Sequence, residues 1–143
     1  MATTVNGASI AVSRPAQEKR SQKRVLLVDD NLWIRKALRD RLMEHLAGVT
    51  IAAAGNAQEA LDIMETGAVD MLITEVDLPV MNGYELIGQV RQRKPAMPIM
   101  VTTDDCSQKV IDLLTSLGVN RWIEKPFDGR TIAAAVMTEL QLA

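Results

Sequence analysis

The sequence predicts an α/β fold: a five-stranded parallel sheet, doubly wound, with helices on both faces. Five short apolar runs alternate with five segments in which apolar residues recur every three or four positions, as in buried strands alternating with amphipathic helices. Glycine, proline, aspartate or asparagine separates successive segments and marks the turns. Strands that alternate with helices in this way are joined by right-handed crossovers and therefore lie parallel.

The first half of the chain holds three of these strands, at 25–28, 49–53 and 69–74. Asp29-Asp30-Asn31 closes the first strand and offers an N-cap for a helix over 32–47. One apolar residue recurs every four positions in this helix and is predicted to face the core: Ile34, Leu38, Leu42 and Leu46. Asn56 is predicted to cap the second helix, which stops at Gly67.

The second half continues the alternation with strands at 99–102 and 121–124. A helix over 84–93 is halted by the prolines that precede the fourth strand. Asp104 or Asp105 is predicted to cap the next helix, which Gly118 terminates. The last helix is predicted over 128–140.

The composition is that of one globular domain. The chain has 143 residues, of which 48% are hydrophobic and 24% charged, so it holds one ordinary core. Residues 1–23 mix small, polar and charged residues without periodicity, and we predict that they form a flexible extension. The folded domain is predicted over 24–143.

The cysteine content and the charge limit the class of protein to which the chain can belong. The single cysteine, Cys106, excludes an internal disulfide and suits a reducing compartment. No apolar run approaches the roughly 18 residues of a membrane helix, so we expect a cytoplasmic protein that does not enter a membrane. Residues 1–24 carry five Lys/Arg and one Glu, whereas residues 25–143 carry eleven Lys/Arg and seventeen Asp/Glu. The acidic body argues against direct nucleic-acid binding.

Polar side chains follow the ends of several predicted strands, which share one edge of a parallel sheet. The set comprises Asp29 and Asp30, Glu75, Thr103 and Lys125. Carboxylate oxygens with a hydroxyl and an ammonium opposite suit Mg²⁺ beside a phosphoryl group. With Asp104 at the same edge, we expect an anionic pocket in which either a cation binds or a carboxylate pKa rises.

Four ordered motifs resemble the receiver domain of two-component response regulators (CheY-like), whose fold is the doubly wound, flavodoxin-like (βα)5 arrangement. They are Val25-Leu-Leu-Val-Asp-Asp-Asn31, Leu78-Pro-Val-Met-Asn-Gly83, Pro98-Ile-Met-Val-Thr-Thr103 and Trp122-Ile-Glu-Lys-Pro-Phe127. The resemblance covers about residues 25 to 141.

The resemblance implies roles for individual residues. Asp29 and Asp30 would bind Mg²⁺, together with the backbone carbonyl of Asp77. Lys125 would contact the phosphate. The family's switch positions would be held by a hydroxyl and an aromatic residue, here Thr103 and Trp122.

The chain departs from the family at the phosphoacceptor. Receivers carry aspartate four residues before the proline of this motif, and the residue four before Pro79 is Glu75. A carboxylate displaced by about 1 Å loses on the order of 10²-fold in rate, so phosphorylation of Glu75 is expected to be impaired. The longer side chain could instead pair with Lys125 and Thr103 and mimic the activated state. Asp77 is a rival acceptor, but it is predicted to lie in the loop.

The first functional hypothesis is a stand-alone receiver that acts through protein contacts and not as an enzyme. Its expected partner is a histidine kinase or another signalling protein, and a homodimer through the fourth helix, fifth strand and fifth helix is one candidate assembly. The alternative is a receiver that accepts phosphate from a histidine kinase, at Glu75 or Asp77. The sequence leaves open whether Glu75 is native or introduced. A flavin- or nucleotide-binding flavodoxin relative is disfavoured because no Gly-rich phosphate loop is present.

Overall fold

The computed structural model describes residues 22–119 and 121–141, and the predicted extension over 1–23 lies almost wholly outside them. Five strands and five helices alternate: β1 Lys23–Val28, α1 Leu32–His45, β2 Val49–Ala54, α2 Ala57–Thr66, β3 Met71–Glu75, α3 Gly83–Arg93, β4 Ile99–Thr103, α4 Gln108–Ser116, β5 Arg121–Glu124 and α5 Gly129–Leu140. All neighbouring strands pair in parallel, in the order β2-β1-β3-β4-β5. The predicted doubly wound α/β fold is confirmed.

The sheet carries a hydrophobic core on each face because successive residues of a strand point to opposite sides. In β1, Leu26 and Val28 belong to the core beneath α2, α3 and α4, whereas Val25 and Leu27 belong to the core beneath α1 and α5. The strands are therefore apolar throughout, as expected for a parallel sheet covered on both faces.

Most predicted boundaries lie within one or two residues of the observed ones, but one predicted cap and one predicted core residue are wrong. The N-cap of α4 is Ser107, whose side chain accepts the Val110 N–H, so the predicted cap at Asp104 or Asp105 is wrong. Ile34 was predicted to face the core but is 41% exposed, while Leu38, Leu42 and Leu46 are buried. The first turn of α1 therefore projects beyond the sheet that its later turns cover.

The strand order determines where the polar residues meet. β1 and β3 are neighbours, and the chain reaches β2 on one side of this pair and β4 and β5 on the other. Such a reversal of strand order opens a crevice at the carboxyl edge, where ligands of α/β proteins bind. Asp29, Glu75, Thr103 and Lys125 all lie at that edge, on or directly after four different strands. Within the described residues, no helix is long and apolar enough to cross a membrane.

Candidate functional site: an acidic pocket with a lysine

Three carboxylates form the centre of the site. Asp29, Asp30 and Glu75 each offer one oxygen, and these atoms lie within 4.8 Å of one another. Asp29 is 2% exposed and Glu75 is 7% exposed, whereas Asp30 is exposed to solvent. Two of the three acidic groups are therefore removed from water, which is costly unless they are paired, protonated or bound to a cation.

The backbone around Asp29 fixes its side chain. The Asp29 N–H donates to Ala54 O at 3.2 Å, which extends the β1–β2 ladder by one residue. The Asn31 N–H donates to Asp29 Oδ1 at 2.9 Å, and the Arg35 guanidinium donates to the Asp29 carbonyl at 2.8 Å. Asn31 in turn caps α1 by accepting two of its first N–H groups. The Asp29 carboxylate is thus held in the pocket by local hydrogen bonds.

Glu75 is held from two sides. The Asp30 N–H donates to Glu75 Oε2 at 3.0 Å. Lys125 Nζ lies 3.8 Å from Glu75 Oε1 and also 3.8 Å from Asp29 Oδ2. One ammonium group therefore serves two carboxylates, and neither distance is that of a short charge-assisted hydrogen bond.

The start of α3 packs directly against the end of β3. A Cβ at Gly83 would collide with the Glu75 carbonyl oxygen and would come within 2.8 Å of Val76 Cα. The Gly83 N–H donates to Val76 O at 2.8 Å, so the helix begins in contact with the strand. From the sequence, Asn82-Gly83 indicated only a turn. The contact between Gly83 and the Glu75 backbone could not be inferred from the positions of these residues along the chain.

The electrostatics of the pocket favour a neutral Glu75. Burial and, after it, the adjacent Asp29 side chain raise the pKa of Glu75 from 4.5 to about 8, although the Asp30 N–H and Lys125 oppose the shift. With both carboxylates ionised, Asp29 Oδ2 has no hydrogen-bond donor among the described residues. A proton on Glu75 would supply that donor. The two carboxyl groups would then carry one negative charge between them instead of two.

The same residues fit a divalent cation. Hard cations such as Mg²⁺ prefer carboxylate and carbonyl oxygens, and the pocket offers three carboxylates within reach of one point. The buried Asp29 Oδ2 accepts no hydrogen bond from the described residues and has only the Lys125 ammonium 3.8 Å away, so it is available as an oxygen ligand. A cation in the pocket would favour the ionised form of Glu75 and so oppose the rise of its pKa.

The hydroxyl of Thr103 does not pair with Glu75. It accepts the Asp105 N–H at 3.0 Å and donates to the Asp105 carbonyl at 3.2 Å, so both of its bonds are made to the β4–α4 loop. The expected pairing of Glu75 with Thr103 is therefore wrong for this conformation, whereas the proximity to Lys125 is observed. The Lys125 N–H donates to Thr103 O at 2.8 Å, which joins the ends of β4 and β5.

The remaining predicted residues lie around the pocket. Asp77 is exposed in the loop after β3, and its side chain is not part of the three-carboxylate cluster. Asp104 is also exposed and outside that cluster, so it does not add to the buried charge as expected. Trp122 is partly buried and packs against the core beneath α2, α3 and α4. Sequence reasoning missed Arg35, because its position on α1 indicated only a charged helix surface.

A parallel α/β sheet with an acidic, lysine-containing pocket at its carboxyl edge has the charges and oxygen ligands that suit a divalent cation. Comparison with known proteins is more specific. The sequence profile of the response regulator receiver domain matches residues 25–137. The chain therefore belongs to the response regulator receiver domain family.

Individual relatives agree with this assignment. The chain is 34% identical over 121 residues to the alkaline phosphatase synthesis transcriptional regulatory protein PhoP of Bacillus subtilis (83% of this chain, 49% of that protein). It is 33% identical over 126 residues to the probable transcriptional regulator ycf27 of Cyanidium caldarium (87% and 49%). The chemotaxis protein CheY4 of Vibrio cholerae superimposes with a TM-score of 0.77 at 28% identity, covering 82% of this chain and 98% of its own. The chain spans about half the length of the two curated relatives.

Proposed function

We propose that this receiver domain signals through protein contacts, with phosphorylation impaired because Glu75 stands at the acceptor position. The observation that carries the proposal is the environment of Glu75 at the end of β3. Its carboxylate is bound by the Asp30 N–H and lies 3.8 Å from Lys125 Nζ. The Glu75 side chain thus takes up the nearest N–H and the nearest ammonium charge in the pocket.

The protonation state of Glu75 supports the same conclusion. A carboxyl group must be ionised to attack phosphorus, and a pKa of about 8 leaves Glu75 largely protonated at neutral pH. The extra methylene relative to aspartate also moves the carboxylate along the in-line path, where small displacements are costly. Geometry therefore opposes phosphoryl transfer with or without a cation, and ionisation opposes it in the cation-free pocket.

We include a magnesium ion in the proposal, held by the side chains of Asp29, Asp30 and Glu75 with the backbone carbonyl of Asp77. The ion would supply positive charge to the pocket. The buried Asp29 carboxylate, which has an oxygen without a donor, supports this assignment. Under this proposal the role of Lys125 is to neutralise the carboxylates. Thr103 and Trp122 are the residues whose rearrangement would accompany a change between the inactive and the activated conformation of the receiver.

The partner is a histidine kinase or another signalling protein, and one contact surface is the face formed by α4, β5 and α5. On this face Leu113 is 40% exposed, and Arg121 Nε lies 2.7 Å from Glu139 Oε2, an ion pair that links β5 to α5. A second copy of the chain is the other candidate for this face. Sedimentation velocity of the purified chain distinguishes a homodimer from a monomer that needs a different partner.

The alternative function, a receiver that accepts phosphate, is favoured by one observation: Lys125 lies beside the acidic pair in the pocket. Incubation with Mg²⁺ and acetyl phosphate, followed by intact mass measurement, separates the two functions. We expect no phosphoryl adduct on the chain and an adduct on Glu75→Asp, with Asp29→Asn in the Glu75→Asp background as the inactive control.

A phosphoryl adduct on the unmodified chain would overturn the proposal. Its loss in Glu75→Ala would assign the acceptor to Glu75, and its loss in Asp77→Ala would assign it to Asp77. Absence of an adduct from Glu75→Asp as well would show that something other than the acceptor blocks transfer, and the explanation from Glu75 would fail.

A further inference from the structure

The side chain of Arg35 turns back from α1 toward the end of β1. Its guanidinium Nη1 donates to the Asp29 carbonyl at 2.8 Å. Arg35 is half-buried, whereas the other lysine and arginine side chains of α1 are exposed. Among the residues that the structure describes, Arg35 forms no salt bridge. The guanidinium is therefore held by a backbone oxygen and not by a carboxylate.

The Asp29 carbonyl takes its donor from outside the sheet. β2 ends at Ala54, and the Asp29 N–H donates to Ala54 O at 3.2 Å, at the end of the β1–β2 ladder. Asp29 is 2% exposed, so water has little access to its carbonyl oxygen. A buried carbonyl without a donor is costly, and Arg35 supplies the donor where the ladder stops.

The guanidinium lies in a slot that a side chain at residue 55 would fill. A Cβ at Gly55 would lie 2.9 Å from Arg35 Nη1 and 3.4 Å from its Cζ, so the guanidinium rests against the Gly55 backbone. Gly55 is itself fixed, because its N–H donates to Glu59 Oε1 at 2.6 Å. Arg35 therefore bridges the turn after β1 and the turn after β2.

The turn that Arg35 holds carries two of the three pocket carboxylates, those of Asp29 and Asp30. The Asn31 N–H donates to Asp29 Oδ1 at 2.9 Å, and Asp29 Oδ2 has no donor among the described residues. Oδ2 lies 3.8 Å from Lys125 Nζ, so it is directed into the pocket. A shift of the backbone at this turn would move both carboxylates relative to the third.

We infer that Arg35 is a positioning residue for the cation site, acting through the Asp29 backbone, and that Gly55 is required because it leaves room for the guanidinium. Side chains that orient the ligands of a metal typically change its affinity by about 10- to 100-fold when they are replaced. The inference rests on the proposed function, in which the pocket holds Mg²⁺, and adds a residue outside the ligand set that determines the affinity.

The charge of Arg35 alone predicts the opposite effect. Arg35 is a cation beside an acidic pocket, so its removal would strengthen Mg²⁺ binding if only electrostatics mattered. Loss of a positioned turn weakens binding instead, because the two carboxylates no longer share one fixed geometry. The sign of the change in affinity therefore separates these roles. A merely stabilising role changes the free energy of unfolding and leaves the affinity unchanged.

The test is a Mg²⁺ titration of the isotopically labelled full chain, followed by the amide NMR signals of Asp30 and Asn31. We expect Arg35→Ala to raise the Mg²⁺ dissociation constant about tenfold. Lys36→Ala removes an exposed cation from the next position of α1 and should leave the constant unchanged or slightly lower. Urea denaturation confirms that each variant is folded.

Gly55→Ala tests the slot independently of the arginine substitution. The far end of an arginine moves easily, so the added Cβ should displace the guanidinium and also weaken Mg²⁺ binding about tenfold. In the double variant with Arg35→Ala the methyl group has no guanidinium to displace, and the two effects should not add. Gly88→Ala, with open space around the position, is the matched control and should leave the affinity unchanged.

A measurement without metal tests the positioning itself. The amide hydrogens of Asp30 and Asn31 are both bonded to pocket carboxylates. In EDTA they should exchange about five- to tenfold faster in Arg35→Ala, as expected when the turn loses about one hydrogen bond of stabilisation. The amide of Thr131, which is bonded in the cap of α5, is the control and should exchange at an unchanged rate.

An unchanged or higher Mg²⁺ affinity in Arg35→Ala would overturn the inference, and so would additive effects of Arg35→Ala and Gly55→Ala. Unchanged exchange of the Asp30 and Asn31 amides in EDTA would overturn it as well. If the unmodified chain binds no Mg²⁺, the inference fails together with the magnesium part of the proposed function. The phosphoryl-adduct assay uses chains in which Arg35 is intact, so a failure there is distinguishable from a failure here.

Discussion

The raised pKa of Glu75 makes the stability of the protein depend on pH in a direction opposite to that of most carboxylates. The pKa of Glu75 rises from 4.5 to about 8 because the side chain is buried and adjoins Asp29. Between these two values the folded state holds a proton that the unfolded state has lost. The stability that this proton maintains is present below pH 4.5 and is lost as the pH rises through about 8.

The magnitude follows from the shift. Each pKa unit corresponds to about 1.4 kcal/mol, so the full shift corresponds to about 5 kcal/mol of unfolding free energy between the acid and alkaline limits. Glu75→Gln removes this titration and keeps the side-chain shape. The introduced amide also offers an N–H to Asp29 Oδ2, the oxygen that lacks a donor. We expect the variant to be the more stable protein above pH 8 and its advantage to disappear at low pH.

The assay is urea denaturation of the unmodified chain and Glu75→Gln from pH 5 to pH 9, with EDTA present. The difference between the two proteins isolates Glu75 from other groups that titrate in this range. Glu65→Gln, which changes an exposed carboxylate 3.8 Å from Arg93, is the control and should give a flat difference. Millimolar Mg²⁺ should shrink the Glu75 effect, because a cation in the pocket favours the ionised carboxylate. Parallel curves for the unmodified chain and Glu75→Gln without Mg²⁺ would refute the reasoning.

Two further predictions concern the loop and helix that follow β3. Gly83→Ala should destabilise the protein by about 3 kcal/mol because the added Cβ meets the Glu75 carbonyl. Gly88→Ala, with open space around the position, should stabilise it by up to about 1 kcal/mol. Similar urea midpoints for the two variants would contradict the packing argument. Val80 has a φ of 66° and its side chain is fully exposed, so Val80→Gly should stabilise the protein by about 1 kcal/mol by removing a left-handed β-branched residue. Val80→Ala keeps a Cβ and should gain less, and a larger gain for alanine than for glycine in urea denaturation would count against strain at this residue.

The fold and the membership of the pocket followed from the sequence because both depend on short-range patterns and on one topological rule. Apolar runs and caps located β1, β3 and β5, and the carboxyl ends of parallel strands share an edge. Asp29, Glu75 and Lys125 had to meet once that order was known. The distances of 3.8 Å between the lysine and both carboxylates agree with this placement.

Hydrogen-bond partners within the loops were harder to predict, because alternatives of similar chemistry stand next to one another. Asp104, Asp105 and Ser107 can all cap a helix, and the start of α4 depends on how long the β4–α4 loop runs before it turns. Ser107 takes the cap, and Asp105 Oδ1 accepts the Ser107 N–H at 2.9 Å. The same turn brings the Asp105 backbone to Thr103 Oγ1, and so the hydroxyl expected in the pocket is bonded outside it.

The burial of Glu75 could not have been predicted, and it is the property on which the chemistry of the pocket depends. Spacing from Pro79 identified the residue, and strand periodicity placed it at the sheet edge, where either an open or a covered carboxylate is possible. The observed residue is covered: Glu75 is 7% exposed, its Oε2 accepts the Asp30 N–H, and its Oε1 lies 3.8 Å from Lys125 Nζ. A carboxylate in water at this edge would keep its ordinary pKa and remain a nucleophile. Burial and the adjacent Asp29 side chain instead raise the Glu75 pKa to about 8, which favours the protonated carboxyl group at neutral pH.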